Sequence, residues 1–534
     1  MRIPLPARLR GRRIWMSAGV LLASLLLVLV VIQSLLAHSG PQIRRRVILT
    51  LSHRLGSRVE LDSLTLSLWR GRVSGGGLRV FTPASETAAS GAKPMLEAHS
   101  FTFDSSLLGL LRNPMTISSV HVSGLTIVIP PRPAGFVPEG GGISSERRTA
   151  EKPDPIRADE IVCDGTEVIL LPQSAQAEPR RLMLKSLILR HVEPDQSWPY
   201  EAVLLNDAPQ GEVRSAGRFG PWVMESPVDS PLSGRFNMTG AALNSIRGLG
   251  GELTAQGQFS GTLDNLSLTG TAEAPHFSLS PANRPIALLL KFSGKVDGAS
   301  GITTLDPIEA RIGESVFRGR GTVLDERGQG HRIAIDAKET GGRLEDFLTL
   351  AVHPQPVLMN GAVSSRVRMQ VVPGEASVAE KMTLTGSFEA TALRFTSASV
   401  RDMVNQMSQR AQGDSTAANS TAANFGSPQA PVTLAGDYRM AGGTISMSGL
   451  VLVTPGARLD MAGTVRQADG VLSLQGQART ESSLSGMETS WWKKLLLLPV
   501  DPFFHRKGAG AQVPIQITGK GNELTFGIKM KPGH

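Results

Sequence analysis

Apolar and polar residues alternate along most of this chain, and glycine interrupts the alternation about every 10–15 residues. HRIAIDA, RVRMQVV and VPIQITG each place apolar side chains at every second position, the period of a half-buried strand. In RVELDSLTLSLW, Val59 and Leu61 share one parity and Leu64, Leu66 and Leu68 the other. VHVSGLTIVIP repeats the switch, from Val120 and Val122 to Leu125, Ile127 and Ile129. A β-bulge at each switch would keep one face apolar. Parallel sheets need long crossovers, usually helices, and helical patterns are nearly absent, so meandering antiparallel strands are predicted. Short helices are predicted over Pro41–Leu55, stopped by Gly56, and in SSLLGLLRNP, ended by Pro114. In SASVRDMVNQMSQRAQG, Val400, Met403, Val404 and Met407 fall on one face of an amphipathic helix, with Gly413 just beyond its end.

The N-terminal pattern is different. From Ile14 to Leu36 the chain reads IWMSAGVLLASLLLVLVVIQSLL, enough to cross a hydrocarbon core of about 30 Å as a helix. Trp15 stands at its entry, and Arg2, Arg8, Arg10, Arg12 and Arg13 precede it. The rival reading is a cleaved signal peptide with Ala37 and Ser39 as the small-residue pair. Its apolar core would exceed the usual length of about 7–15 residues. The arginine excess predicts a cytoplasmic N-terminus and a periplasmic remainder, although Arg44, Arg45 and Arg46 follow the span. Two stretches without periodicity, Arg132–Pro155 and Gly413–Gln429, read as loops or linkers. The expected organisation is a tail and anchor (1–40), an N-terminal β region (41–131), a linker (132–155), a central β-repeat region (156–395), an amphipathic helix with a flexible loop (396–429), and a C-terminal β region (430–534).

Composition narrows the function classes. Only 19% of the 534 residues are charged and 5% aromatic, against 57 glycines, as suits many short strands and turns. Much of the net charge of +9 sits at the membrane boundary, where it suits anionic headgroups. The remaining cations are scattered among carboxylates without interleaved aromatics, which argues against nucleic acid. Cys163 is the sole cysteine, so neither an intrachain disulfide nor a cysteine metal site can form. The ten histidines lack metal-ligand spacing, and no nucleophile elbow, phosphate loop or dinucleotide fingerprint occurs. Asp62, Asp264 and Asp501 read as turn residues. The expectation is a protein with no cofactor, no metal and no catalytic site.

A sheet with one apolar face must cover it. Another sheet, giving a sandwich or closed barrel, is one covering, and lipid is another. The residues expected to line a lipid groove on this face are Val367, Met369, Ile445, Met447, Leu459, Met461, Ile515, Ile517, Leu524, Phe526 and Ile528. The C-terminal order is a glycine-marked strand meander from Pro431, the segment TSWWKKLLLLPVDPFF, a Gly-Ala-Gly turn, a VPIQITG strand and a final strand. This order resembles the C-terminal region of the AsmA-like family of bacterial envelope proteins. LSHRLGSRVELDSLTLSLWRGRVSGGGLRVF resembles the same family's N-terminal start. The family is related to bridge-like lipid transfer proteins. The resemblance implies a mainly β, elongated and curved antiparallel sheet behind a single inner-membrane helix, forming a groove with an apolar floor. It implies an inner-membrane-anchored periplasmic carrier of phospholipid that supports the outer membrane. The alternative expectation is an assembly factor for outer-membrane proteins, acting by adding strands at sheet edges. Trp491, Trp492, Lys493, Lys494 and Leu495 read either as an interfacial membrane anchor or as part of a helix capping the sheet.

Overall fold

The computed structural model describes residues 44–480, 512–520 and 523–528. Its larger internal gaps are at 82–93, 105–114, 134–155 and 406–430, with short ones elsewhere. The predicted anchor Ile14–Leu36, the Trp491–Leu495 segment and the Gly413–Gln429 loop lie outside the described residues, as do Met403 and Met407. No helix among the described residues is long and apolar enough to cross a membrane. The chain is mainly β, in a largely antiparallel sheet with few helices. It divides into two compact units, residues 1–204 with 216–231 and residues 205–215 with 232–534.

The first unit follows a few helical residues within 44–52 with β1 (Val59–Glu60), β2 (Ser63–Ser67), β3 (Arg72–Val80), β4 (Leu96–Asp104), β5 (Met115–Ile129), β6 (Ile156–Leu170) and β7 (Arg180–Val192). The chain passes from the first unit to the second within β8 (Trp198–Asp207) and back within β9 (Gln210–Phe219). Both expected parity switches occur, but not through bulges. Pairing from β1 through β7 keeps a constant register across them. The switches instead align, at Asp62, Gly77, His99, Gly124, Gly165 and Lys185. Gly77, Gly124 and Gly165 hold φ near +65°, a region glycine enters at little cost. A shared kink thus turns all these strands over together, and no strand needs an extra residue. A Cβ on Gly77 would lie 2.0 Å from the Asp62 carboxylate, which Arg79 holds at 2.9 Å.

One pairing departs from the antiparallel meander. β5 and β6 run parallel, from Met115 beside Ile156 to Ile129 beside Leu170. A parallel return needs a crossover of a dozen or more residues. The Pro- and Gly-rich stretch read as a linker supplies it, so it closes a connection inside the first unit. Just past β5, Arg132 forms a two-point ion pair with Asp229, a buried carboxylate that also accepts from Ser226 Oγ at 2.6 Å. The guanidinium holds the Asp229 carboxyl below the usual range. Cys163 is buried, and burial pushes its thiol up to about 12.

The second unit carries β10 (Pro231–Ala242), β11 (Leu249–Gly250), β12 (Glu252–Thr262), β13 (Asn265–Leu279), β14 (Ile286–Asp297), β15 (Ile302–Ile312), β16 (Ser315–Glu326) and β17 (Gly330–Arg343). Helix α1 (Leu344–Ala351) follows, then β18 (Met359–Val371), the single turn α2 (Val378–Lys381) and β19 (Met382–Phe395). The C-terminal strands are β20 (Thr433–Ala441), β21 (Thr444–Thr454), β22 (Ala457–Arg466), β23 (Val471–Thr480), β24 (Gln512–Lys520) and β25 (Glu523–Ile528). From β12 onward every strand pairs antiparallel with the next.

Two bridges between distant strands show that this sheet coils. Val378 N donates to Arg247 O at 2.9 Å, joining the connection after β18 to the turn before β12. In a flat stack those points would be about 29 Å apart, six spacings of ~4.8 Å, and at opposite strand ends. Likewise Gln467 Nε2, beyond β22, donates to Ala351 O at the end of α1 at 3.1 Å. The start of α1 is fixed by Asp346, which accepts from Glu314 N, Ser315 N and Ser315 Oγ at 3.0, 3.1 and 2.8 Å. Leu279 of β13 also packs against the buried cluster of Val371, Met382 and Met440 of β18–β20. Apolar side chains from distant strands meet, so the apolar face lies inside the coil.

Asp346→Ala should leave the Ser315 amide buried without its acceptor and free the start of α1. A loss of about 2–4 kcal/mol is expected in urea unfolding, against less than about 1 kcal/mol for the exposed Glu314→Ala.

Candidate functional site

Register in the second unit lines apolar residues into rows that cross fourteen strands. One runs Phe259, Leu268, Gly294, Leu305, Gly321, Ile335, Met369, Leu384, Met440, Ile445, Val465, Leu472, Gly519, Leu524. The row beside it includes Phe292, Ile308, Val367, Tyr438, Met447, Leu474 and Ile517 and ends at the backbone position of Phe526. Further along the same strands, Met461, Ile515 and the Ile528 position share a row, and Leu459 stands in the next. The eleven residues expected to line a groove therefore share one face in register, Phe526 and Ile528 by backbone position alone.

The rows stay continuous because glycines make room for rings. A Cβ on Gly270 would meet the Phe292 ring at 2.8 Å, and one on Gly386 the Tyr438 hydroxyl at 2.9 Å. Tyr438 is largely enclosed, and burial pushes its phenol up to about 12.

Burial is uneven along this face. From β21 to β24 it is a packed core. Leu459, Met461 and Ile517 are buried there, and Met447, Ile515 and Leu524 pack against them. Val404 of the amphipathic helix joins this core, together with Leu344, Phe347 and Leu348 of α1. Val400 of that helix is buried too, so two of its four predicted face residues are seated. From β12 to β18 the large side chains of this face are mostly half-buried: Leu268, Leu305, Ile308, Ile335, Val367 and Met369 retain partial exposure, while Leu290 and Phe292 pack against the buried cluster of Met238, Ala241, Ala255 and Ala272. Ile445 and Met369 pack around Val371, Met382 and Met440 between the two regions.

One ionisable carboxyl interrupts the apolar rows. Glu339 stands between Phe317 and Ser365 in register and is 2% exposed. Among the described residues no side chain partners either of its oxygens, and the 6% exposed Ser365 hydroxyl has no partner. Burial holds the Glu339 carboxyl above the usual range, and the nearby Gly342 backbone opposes that only in part. Alternation marked the position in advance, since Ile333, Ile335, Ala337 and Glu339 share one parity. Phe317 in turn stacks tilted on Phe347 of α1 with ring centres 5.2 Å apart.

No group of His, Cys, Asp or Glu among the described residues could hold a metal ion. Several carboxylates on exposed strand faces pair with arginines, among them Asp104, Glu309 and Asp336. The arrangement offers a long apolar surface, half-open toward β12 and filled toward β24. A scan against protein-family models, a search of curated proteins and a search of solved structures each found no match.

Glu339→Gln should stabilise the second unit at neutral pH. A carboxyl whose pKa is raised on folding keeps a proton that the unfolded chain has released. Stability therefore falls as pH rises from the ordinary value to the raised one. Glu345 and Glu380, held below the usual range, act in the opposite sense, so the readout is a difference: the urea-midpoint gain of Glu339→Gln over the wild type should be larger at pH 7 than at pH 4.

Proposed function

We propose that the inner face of the second unit carries phospholipid acyl chains, in a chain anchored in the inner membrane whose bulk lies in the periplasm, and so supplies the outer membrane. The observation that carries this reading is the half-buried stretch from β12 to β18. There, large aliphatic and aromatic side chains line one face over several strands and remain open to solvent. From β21 to β24 the same face has fully buried large side chains, among them Leu459, Met461 and Ile517, whereas the buried apolar residues described in β12–β17 are alanines. Acyl chains supply the missing cover. Each methylene moved out of water contributes about 0.8 kcal/mol, so a two-chain lipid gains tens of kcal/mol from an apolar floor. Rows that continue from strand to strand let the chains slide with little change in contact. A passive floor gives no direction, only exchange between its ends.

The resemblance of the chain's two ends to AsmA-like envelope proteins supports the same reading and rests on motif order. The anchor Ile14–Leu36 and the Trp491–Leu495 segment enter as proposals on their sequence, the second as an interfacial anchor or a cap over the packed end of the floor.

Burial sets the test. Val367→Asp and Ile308→Asp place a charge where solvent already reaches, so each should keep the circular dichroism of the wild type and lose most lipid retained on purification. Ile517→Asp buries an unpaired charge in the packed core and should destabilise by about 3–5 kcal/mol. Undiminished lipid in folded Val367→Asp and Ile308→Asp would refute carriage on this face. A stoichiometric trapped polypeptide in place of lipid would favour the strand-adding assembly factor.

A further inference from the structure

We infer that the outer face of β16–β18 docks on an anionic membrane surface. Side chains there alternate with the apolar rows and are exposed. Arg318 and Arg320 of β16, Lys338 and Asp336 of β17, and Arg366 and Arg368 of β18 form a two-by-three array. Lys338 stands directly opposite Arg318 on one side and Arg366 on the other. Asp336 stands between Arg320 and Arg368. The array measures about 10 Å by 7 Å from strand spacing and rise, and sets five cations around one carboxylate.

Like charges directly opposite on neighbouring strands repel. Part of the repulsion is relieved at the margins, where Arg318 meets Glu309 at 3.1 Å and Arg368 meets Asp336 at 2.7 Å. Arg320, Lys338 and Arg366 have no carboxylate partner among the described residues. A file of three cations at adjacent positions is an arrangement that folding alone disfavours and that an anionic partner reverses.

The chemistry of the patch selects a membrane among anionic partners. It holds no aromatic or aliphatic side chain of the kind that anchors a protein interface, nor rings on which bases could stack. It also lies on the outside of the coil, where a small raised patch can meet a flat layer of headgroups. Basic residues near such a layer are drawn to it within a Debye length. The inference does not depend on lipid carriage by the inner face.

A tethering assay tests it on the full chain. The protein is reconstituted in phosphatidylcholine vesicles and offered fluorescent acceptor vesicles of phosphatidylcholine alone or with about one-third phosphatidylglycerol. Capture of the anionic acceptors should exceed capture of the neutral ones about tenfold at ~50 mM salt and collapse at ~300 mM. Arg318→Glu/Lys338→Glu/Arg366→Glu should abolish the excess, whereas Lys520→Glu should retain it. Lys338→Gln/Arg366→Gln, a milder change for the fold, should reduce capture severalfold with unaltered circular dichroism and unaltered retained lipid. Equal capture of neutral and anionic acceptors, or wild-type capture by the folded Gln variant, would overturn the inference. Loss of retained lipid with capture intact would count against carriage and leave docking standing.

Discussion

A single sheet with one apolar face has to hide that face, and the second unit does so by coiling. The hydrogen bonds of Val378 to Arg247 and of Gln467 to Ala351 join opposite strand ends that a flat sheet would hold far apart. Helix α1 depends on the same closure. Asp346 ties its start to the β15–β16 turn, and Gln467 ties its end to the turn after β22. The apolar rows face inward because of this curvature, and the cation array faces outward for the same reason. Burial then follows from how far the inside is filled. Helical side chains and the last strands fill one end, and half-covered Leu, Ile, Phe and Val side chains are left at the other.

Glycine and aromatic placement makes such a floor possible. Rings lie across glycines on neighbouring strands at Gly270 and Gly386, so the surface stays even where side-chain volume changes from strand to strand. The exception is Glu339, whose register neighbours are Phe317 and Ser365. Neither neighbour carries a charge, and Asp346 of α1 is committed to Ser315. Neutral, the carboxyl is tolerated in this setting; ionised, it would demand water or a counter-charge.

Much of this was legible in the sequence, because a period of two fixes which side chains share a face. Met369, Ile445, Leu459 and Ile517 lie on one face because their alternation is local, and the seating of Val400 and Val404 follows from local helical spacing. The parity switches at residues 61–64 and 122–125 were legible as well, but their mechanism was not. A bulge and a shared kink give the same pattern along one strand, and only the constant register across neighbours separates them. The parallel pairing of β5 with β6 was hidden, since a long connection without periodicity looks the same whether it links two bodies or returns a strand. The cation array was hidden too. Arg318, Lys338 and Arg366 are far apart in sequence and meet only through register.

The central claim is that lipid touches one face of these strands and not the other. The most direct measurement places a photo-crosslinking residue at adjacent positions that face opposite ways, Ile335 against Asp336 and Val367 against Arg368, in cells producing the full chain. Lipid adducts identified by mass spectrometry at 335 and 367, and absent at 336 and 368, are the expected result. Adducts at none of the four, or equally at all four, would contradict the account.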